Sequence, residues 1–160
     1  MGFFKLFIYF LILLYVSGKQ QLYSSAVKYK RPDQRVVILQ NYLFAKKSPL
    51  APSANKFIQV ADKYKLDWKL LPAIAGVESG FEKAGNINDF NPFGYMCGSS
   101  PCVFDSFEDA IKTVAKTISG SGTYARHRKT GSIRELAIKY NYVSPDDWTE
   151  KIEYFRGKLK

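Results

Sequence analysis

The sequence predicts one mainly helical domain with a single small β-hairpin. Apolar residues recur at helical spacing in most segments between residues 33 and 155. Capping residues precede several of these segments. Only residues 80–105 replace the helical pattern with glycine, asparagine, proline and short aromatic or β-branched patches. A chain of 160 residues is long enough for one domain with a core, and we expect about six helices around a buried central one.

The first two predicted helices are amphipathic. The first covers Asp33 to Lys46 and ends at the motif KSPLAP. The second covers Ser53 to Tyr64, and the cations of Lys63 and Lys65 suit its carboxyl terminus.

The third predicted helix is apolar on nearly every side, which is typical of the buried centre of a domain. Asp67 precedes it as a cap, and Pro72 is tolerated only near its beginning. The helix ends at about Ser79. Glu78 is the only ionisable side chain in residues 70–81.

A loop and a small β-hairpin are predicted after the third helix. The predicted arms are Phe93–Cys97 and Cys102–Phe104. The only two cysteines, Cys97 and Cys102, lie in the motif CGSSPC, whose glycine and proline favour a turn that brings the sulfurs together. We expect a local disulfide, with a pair of free thiols as the alternative. The single histidine lies far away in sequence, so we predict no metal site and no cofactor.

Three further helices are predicted in the remainder of the chain. Ser106 with Asp109 forms a capping box that opens FEDAIKTVAKTI. Ser132 with Glu135 forms another that opens IRELAIKY. Between them the basic stretch YARHRKTG, residues 124–131, is predicted as a solvated loop, with binding of wall peptides or acidic polymers as the alternative. The last helix opens at the motif SPDD and carries the apolar residues Trp148, Ile152 and Phe155.

The net charge of +10 favours anionic partners, namely nucleic acid, acidic lipids or the anionic polymers of a bacterial wall. No RNA-binding aromatic signature, zinc-finger spacing or basic zipper is present, so we predict no nucleic-acid partner. A solvated basic surface is the other interpretation of this charge.

Residues 1–18 predict export. A single charge, Lys5, precedes the apolar stretch Leu6 to Val16, which has the length of a signal-peptide core and is short of the ~20 residues that span a bilayer. A cleaved signal peptide and a retained membrane anchor both stay open, and either one places the domain outside the cytoplasm, secreted or tethered to the membrane. Residues 19–31 are predicted as a basic linker and residues 32–160 as the folded domain.

The position of Glu78, near the carboxyl end of an apolar helix, predicts a raised pKa for its carboxyl group. Apolar surroundings disfavour the ionised carboxylate, and the negative end of the helix dipole acts in the same direction. A carboxyl that keeps its proton near neutral pH can act as a general acid, as it does in glycosidases. The alternative is a structural Glu78 that receives backbone hydrogen bonds or points into solvent.

Four motifs together resemble the lysozyme-like wall hydrolases, chiefly the catalytic domain of soluble lytic transglycosylases. In chain order they are LLPAIAGVESGF, NPFGYM, FDSFEDAIKTVAKTI and LAIKYNYVSPDDW. In that family a Glu-Ser pair ends a buried helix, which Glu78 and Ser79 match, and a YNAG-like segment follows, whose start Tyr140 and Asn141 match. NPFGYM departs from the family's GLMQ-like segment and is closer to the NLFG segment of the related endo-β-N-acetylglucosaminidase autolysins.

The resemblance implies an α+β lysozyme-like fold that acts on peptidoglycan glycan strands. It implies cleavage of the β-1,4 bond between N-acetylmuramic acid and N-acetylglucosamine, with Glu78 as general acid and then base, and closure of a 1,6-anhydro ring. One alternative is a hydrolytic muramidase or glucosaminidase, for which Asp89 and Asp105 are available as a second carboxylate. Another is a wall-binding module without turnover.

The same resemblance implies a set of substrate-binding residues. They are Ser79, Asn91, Tyr95, Met96, Tyr140 and Asn141. Several have structural alternatives, which are a helix cap for Ser79, a turn for Asn91 and a packed core position for Tyr140. We also predict that the protein is a monomer.

Overall fold

A computed structural model describes residues 8–19, 31–83 and 87–160. The chain divides into two units, Met1–Pro32 and Asp33–Lys160.

In the first unit, residues 8–19 are helical. Every side chain from Ile8 to Val16 is exposed. Among the described residues, no helix has the length and apolar character needed to cross a membrane. The predicted linker, residues 19–31, falls almost entirely outside the described residues, as do the first seven residues of the predicted leader.

The second unit is mainly helical, as predicted, with one small antiparallel sheet. Its α-helices are α1 (Gln34–Ala45), α2 (Ala54–Tyr64), α3 (Leu70–Ser79), α4 (Phe107–Ile118), α5 (Ala125–Thr130), α6 (Ile133–Tyr140) and α7 (Pro145–Lys158). Short 3-10 helices cover Ala51–Ser53 and Ile87–Asp89. The strands are β1 (Met96–Cys97) and β2 (Ser100–Pro101). The described part of this unit thus has one α-helix more than the predicted six, and the additional helix is α5.

The helices α1 and α2 have the predicted bounds to within about one residue. The Asp33 carboxylate caps α1 by accepting a hydrogen bond from the Arg35 amide at 2.9 Å. The Arg35 guanidinium also pairs with Asp62 on α2 at 2.7 Å. Lys65 ends α2 in the left-handed conformation, with φ of 56°. Local capping therefore begins α1, and one ion pair joins α1 to α2.

The predicted central helix is confirmed in α3, which is buried along most of its length and packs against α7. A Cβ on Gly76 would lie only 2.6 Å from the Phe81 ring, so glycine permits this close packing. Pro72 lies in the first turn, where its missing N–H costs little. Asp67 accepts a hydrogen bond from the Lys69 amide at 3.0 Å. It therefore holds the turn before α3, and Lys69 occupies the capping position itself.

In both predicted capping boxes, the serine hydroxyl accepts the expected hydrogen bond from the amide three residues later. The Ser106 hydroxyl accepts a hydrogen bond from the Asp109 amide at 3.2 Å, at the start of α4. The Ser132 hydroxyl accepts one from the Glu135 amide at 3.4 Å, at the start of α6. The last helix α7 also begins as predicted, with Pro145 in its first turn.

The predicted disulfide is present between Cys97 and Cys102, whose sulfurs are 1.97 Å apart. The predicted hairpin arms were wrong, because the strands are shorter. Met96 pairs with Pro101 and Cys97 with Ser100, so the turn consists of only two residues. Gly98, at φ of 72°, begins this turn. The sequence prediction had treated the proline as part of the turn, but it lies in β2.

The prediction of a solvated loop for residues 124–131 was also wrong, because this stretch contains α5. Arg126, Arg128 and Lys129 are exposed, whereas His127 is buried. The His127 Nδ1 lies 2.8 Å from the Ser132 carbonyl oxygen. A helix with a single inward residue has no apolar periodicity, which is why the sequence pattern missed it.

Candidate active site

Glu78 lies in the last turn of α3 and is held between two other parts of the chain. Its Oε1 accepts a hydrogen bond from the Trp148 indole N–H on α7 at 2.7 Å. Its Oε2 lies 3.2 Å from the point that a Cβ on Gly94 would occupy. Gly94 has a φ of 57°, which glycine adopts at no steric cost. The glycine thus lets the 91–95 loop approach the carboxyl closely.

The Glu78 carboxyl is reachable by solvent although its helix is buried. The residue is exposed, at the end of a helix whose other residues are mostly buried. Surrounding protein atoms nevertheless remove enough water to raise the Glu78 pKa, and the hydrogen bond from Trp148 offsets this in part. The direction agrees with the sequence-based expectation. No charged side chain among the described residues contributes to the shift.

Tyr140 and Trp148 form a stacked pair beside Glu78. Their ring centroids are 5.2 Å apart with an interplanar angle of 27°. The Tyr140 hydroxyl donates a hydrogen bond to the Phe93 carbonyl oxygen at 2.8 Å. Burial, together with the negative charge of Glu78, raises the pKa of Tyr140 well above its ordinary value. The tyrosine therefore fixes the 91–95 loop as a neutral donor.

Sequence reasoning missed Trp148 as a functional residue and assigned it only an apolar position. A signal was available, because a buried indole N–H usually has a hydrogen-bond partner. Glu78 was the only ionisable residue of the central helix that could supply one. The contact joins residues seventy positions apart, so no local pattern predicted it.

Two of the predicted substrate-binding residues bond to the backbone of neighbouring segments within the described part of the chain. The Ser79 hydroxyl donates to the carbonyl oxygens of Ala75 and Pro92, at 3.0 and 2.9 Å, and accepts from the Glu82 amide at 2.8 Å. Asn91 Nδ2 donates to the carbonyl oxygens of Tyr95 and Cys102, at 2.9 and 3.0 Å. Asn91 Oδ1 accepts from the Tyr95 amide at 2.9 Å. Both side chains thus position the loop that carries Gly94.

Three other predicted residues meet at a cavity of about 320 Å³ beside Glu78. The cavity is lined by Gly94, Tyr95, Met96, Thr117, Thr123, Tyr124, Lys139 and Tyr140. The Tyr95 hydroxyl lies 3.0 Å from Thr117 Oγ1, which joins the loop to α4. Gly94 and Tyr140 border both the cavity and Glu78. Glu78 is not itself one of the lining residues, so these two residues connect the acid with the cavity, an open cleft.

The last predicted residue, Asn141, lies outside this cleft lining. Its Oδ1 accepts a hydrogen bond from the Ser144 amide at 3.3 Å. Asn141 therefore shapes the turn that leads into α7 and brings Trp148 to Glu78.

A larger cavity, of about 450 Å³, lies between the ends of α2 and α5. Several of its cations, including Lys63 and Arg128, lie in the last turns of helices, where they offset the helix dipoles. Its carboxylate, Asp67, is paired with Arg156. Burial acts to raise the Asp67 pKa, but the hydrogen bonds from the Lys69 amide and Arg156 lower it overall. The Asp67 carboxyl therefore lacks the raised pKa that Glu78 has.

Neither candidate for a second carboxylate acts on Glu78. The charge of Asp89 raises the pKa of Glu82, which follows α3, and Asp105 is exposed ahead of α4. Among the described residues, no group of histidine, cysteine, aspartate and glutamate could hold a metal ion.

Comparisons of this chain with models of protein families, with curated proteins and with solved structures find no match. The family resemblance thus rests on the four sequence motifs.

Proposed function

We propose that this protein has a lysozyme-like fold and is a lytic transglycosylase of peptidoglycan. It cleaves the β-1,4 bond between N-acetylmuramic acid and N-acetylglucosamine. The observation that carries the proposal is the Glu78 carboxyl, which has a raised pKa, accepts a hydrogen bond from Trp148 and lies next to Gly94 of the cleft lining. An acid that keeps its proton and reaches a groove meets the first requirement of glycosidic bond cleavage.

Glu78 performs both proton transfers in this reaction. The protonated carboxyl gives its proton to the glycosidic oxygen as the bond to the anomeric carbon of N-acetylmuramic acid breaks. The resulting carboxylate takes the proton of the 6-hydroxyl, whose oxygen bonds to the anomeric carbon and closes the 1,6-anhydro ring. The Trp148 N–H stabilises the carboxylate between the two steps.

The absence of a second charge acting on Glu78 among the described residues favours this reaction over hydrolysis. A hydrolase usually uses a second carboxylate to activate water or to stabilise the positive charge that develops on the sugar. In the transglycosylase reaction the substrate's own hydroxyl replaces water, so one carboxyl suffices.

The cleft lining supplies surfaces that suit sugar rings. Tyr95 and Tyr140 contribute aromatic atoms to the lining, and Met96 is half exposed at the cleft edge. In this proposal Ser79 and Asn91 act through the position of the loop, and Asn141 through the turn before Trp148.

Export belongs to the same proposal, because glycan strands lie outside the cytoplasm. Residues 1–18 serve as a signal peptide or as a membrane anchor. Mass spectrometry of the mature amino terminus, in membrane and secreted fractions, distinguishes the two.

The experiment is digestion of purified insoluble peptidoglycan by the wild type and by Glu78→Gln. Mass spectrometry of the released fragments should find 1,6-anhydro ends with the wild type. With Glu78→Gln we expect a loss of release of at least about 100-fold, while circular dichroism is unchanged. Reducing ends would instead indicate a hydrolase. Binding to the wall without release would indicate a wall-binding module, and unchanged release by the variant would remove Glu78 from the mechanism.

A further inference from the structure

Lys139 is the basic residue in a cleft lining that is otherwise aromatic, hydroxyl-bearing or apolar. It is exposed, at the end of α6 and directly before Tyr140. None of the salt bridges among the described residues involves it. A cation without an acidic partner thus faces the place where we put the glycan.

Lys139 does not tune the acid. Burial and the bond from Trp148 account for the Glu78 pKa, with no contribution from a lysine. A cation close to the carboxyl would have lowered that pKa. The ammonium group of Lys139 is therefore available to a charge on the substrate.

We propose that Lys139 is a specificity-determining residue that selects glycan carrying free carboxylates on its sugars. The inference rests on the proposed function and narrows its substrate. N-acetylmuramic acid has a lactyl group whose carboxyl is either free or joined through an amide to a stem peptide. An ammonium group attracts a free carboxylate by charge, whereas the amide offers only a neutral carbonyl oxygen. The preferred substrate is glycan from which the stem peptides have been removed.

A second hollow next to the cleft cavity also suits a glycan strand with free carboxylates. Thr117 lines both the cleft cavity and a neighbouring hollow of about 450 Å³ on the outer face of α4. That hollow is also lined by Lys112 and Lys116, together with Asp109. Because two lysines and one aspartate line this hollow, its lining carries a net positive charge. Further carboxylates of a peptide-free strand would lie near it.

The test measures kcat/KM on peptide-bearing glycan and on the same glycan after enzymatic removal of its peptides. We expect the wild type to prefer the peptide-free strands by about three- to tenfold. Lys139→Met should abolish this preference by slowing cleavage of the peptide-free strands alone. Lys139→Arg should retain it. Higher salt should weaken it, because the contact is solvent-accessible.

Lys129→Met is the matched control, since Lys129 is exposed on α5 and lines neither the cleft cavity nor the neighbouring hollow. It should keep the wild-type preference. Equal rates of the wild type on both glycans, or an equal effect of Lys139→Met on both, would overturn the role of Lys139 and leave the proposed function standing. No cleavage of either glycan would overturn both.

Discussion

Glu78 and Glu82 are the same residue type, four positions apart, in two different environments. Glu78 is exposed and one of its carboxyl oxygens accepts the Trp148 N–H. Glu82 is 4% exposed, and neither of its carboxyl oxygens has a hydrogen-bond partner in the described part of the chain. Burial raises the pKa of both groups. At Glu82 the charge of Asp89 adds to this effect, and the nearby Ser79 hydroxyl offsets it only in part.

The difference shows that a raised pKa alone does not identify a functional carboxyl. Glu78 has access to a cleft and a donor that stabilises its ionised form, so it can both release and regain a proton. Glu82 is buried and its carboxyl oxygens have no hydrogen-bond partner among the described residues, so its ionisation opposes folding. Each of the following predictions changes one residue that contributes to the difference between Glu78 and Glu82.

The largest effect is expected from Trp148→Phe, which removes the donor that distinguishes Glu78 from Glu82. We expect kcat/KM on peptidoglycan to fall by about 100-fold, because the carboxylate formed during the reaction loses its hydrogen bond. The Glu78 pKa should rise further, since the Trp148 bond lowers it. The alkaline limb of the pH profile, where Glu78 loses its proton, should therefore move to higher pH.

Trp68→Phe is the control for this change, because Trp68 is the only other tryptophan and is half-buried. It should leave both kcat/KM and the pH profile close to those of the wild type. Wild-type activity in Trp148→Phe would show that the indole donor plays no part in the reaction.

A smaller effect is expected from Gly94→Ala, which places a Cβ 3.2 Å from Glu78 Oε2. The added Cβ crowds the Glu78 carboxyl and displaces it from its present position, and we expect about a tenfold loss of kcat/KM. The backbone strain at positive φ should also lower the free energy of unfolding by about 1 kcal/mol.

Gly98→Ala separates these two effects. Gly98 also has a positive φ, but nothing lies within 4 Å of its added Cβ. It should lose a similar amount of stability, measured by urea denaturation, and keep full activity. An equal loss of activity in the two variants would show that strain, and not crowding of Glu78, is responsible.

The smallest effect is expected from Glu82→Gln, and it concerns stability. Because the folded pKa of Glu82 is above its unfolded value of about 4.3, ionisation opposes folding only above that pH. Glu82→Gln should therefore raise the free energy of unfolding at pH 7 by about 1 kcal/mol and change it little at pH 4. Peptidoglycan cleavage should be unaffected.

Glu150→Gln, at an exposed position on α7, serves as the control and should change stability by only a few tenths of a kcal/mol at either pH. A pH-independent gain in Glu82→Gln would mean that the charge of Glu82 is not what opposes folding.

Features fixed by neighbouring residues could be predicted from the sequence. The helices α4 and α6 begin at serine caps that bond to amides three residues later. The central position of α3 follows from a helix that is apolar all round. The short helix α5 and the hairpin arms could not be predicted, because one inward histidine and a two-residue turn leave no periodic pattern.

The candidate site also has one part that the sequence predicts and another that it does not. Glu78 was predictable as a lone charge in an apolar helix. Its partners Trp148 and Gly94 come from distant segments, and only folding brings them together. Sequence similarity assigned Asn91 to the groove, yet its amide group bonds the backbone of its own loop. Residue types alone do not determine which way a side chain faces.

The most direct measurement is the titration of the Glu78 carboxyl itself. Carbon-13 NMR of protein labelled at the glutamate carboxyl groups, with Glu78→Gln to assign the resonance, follows its ionisation. We predict a Glu78 pKa clearly above the value of about 4.3 for an exposed glutamate, and a higher one still in Trp148→Phe. A Glu78 pKa at or below the ordinary value would contradict the assignment of this residue as the general acid.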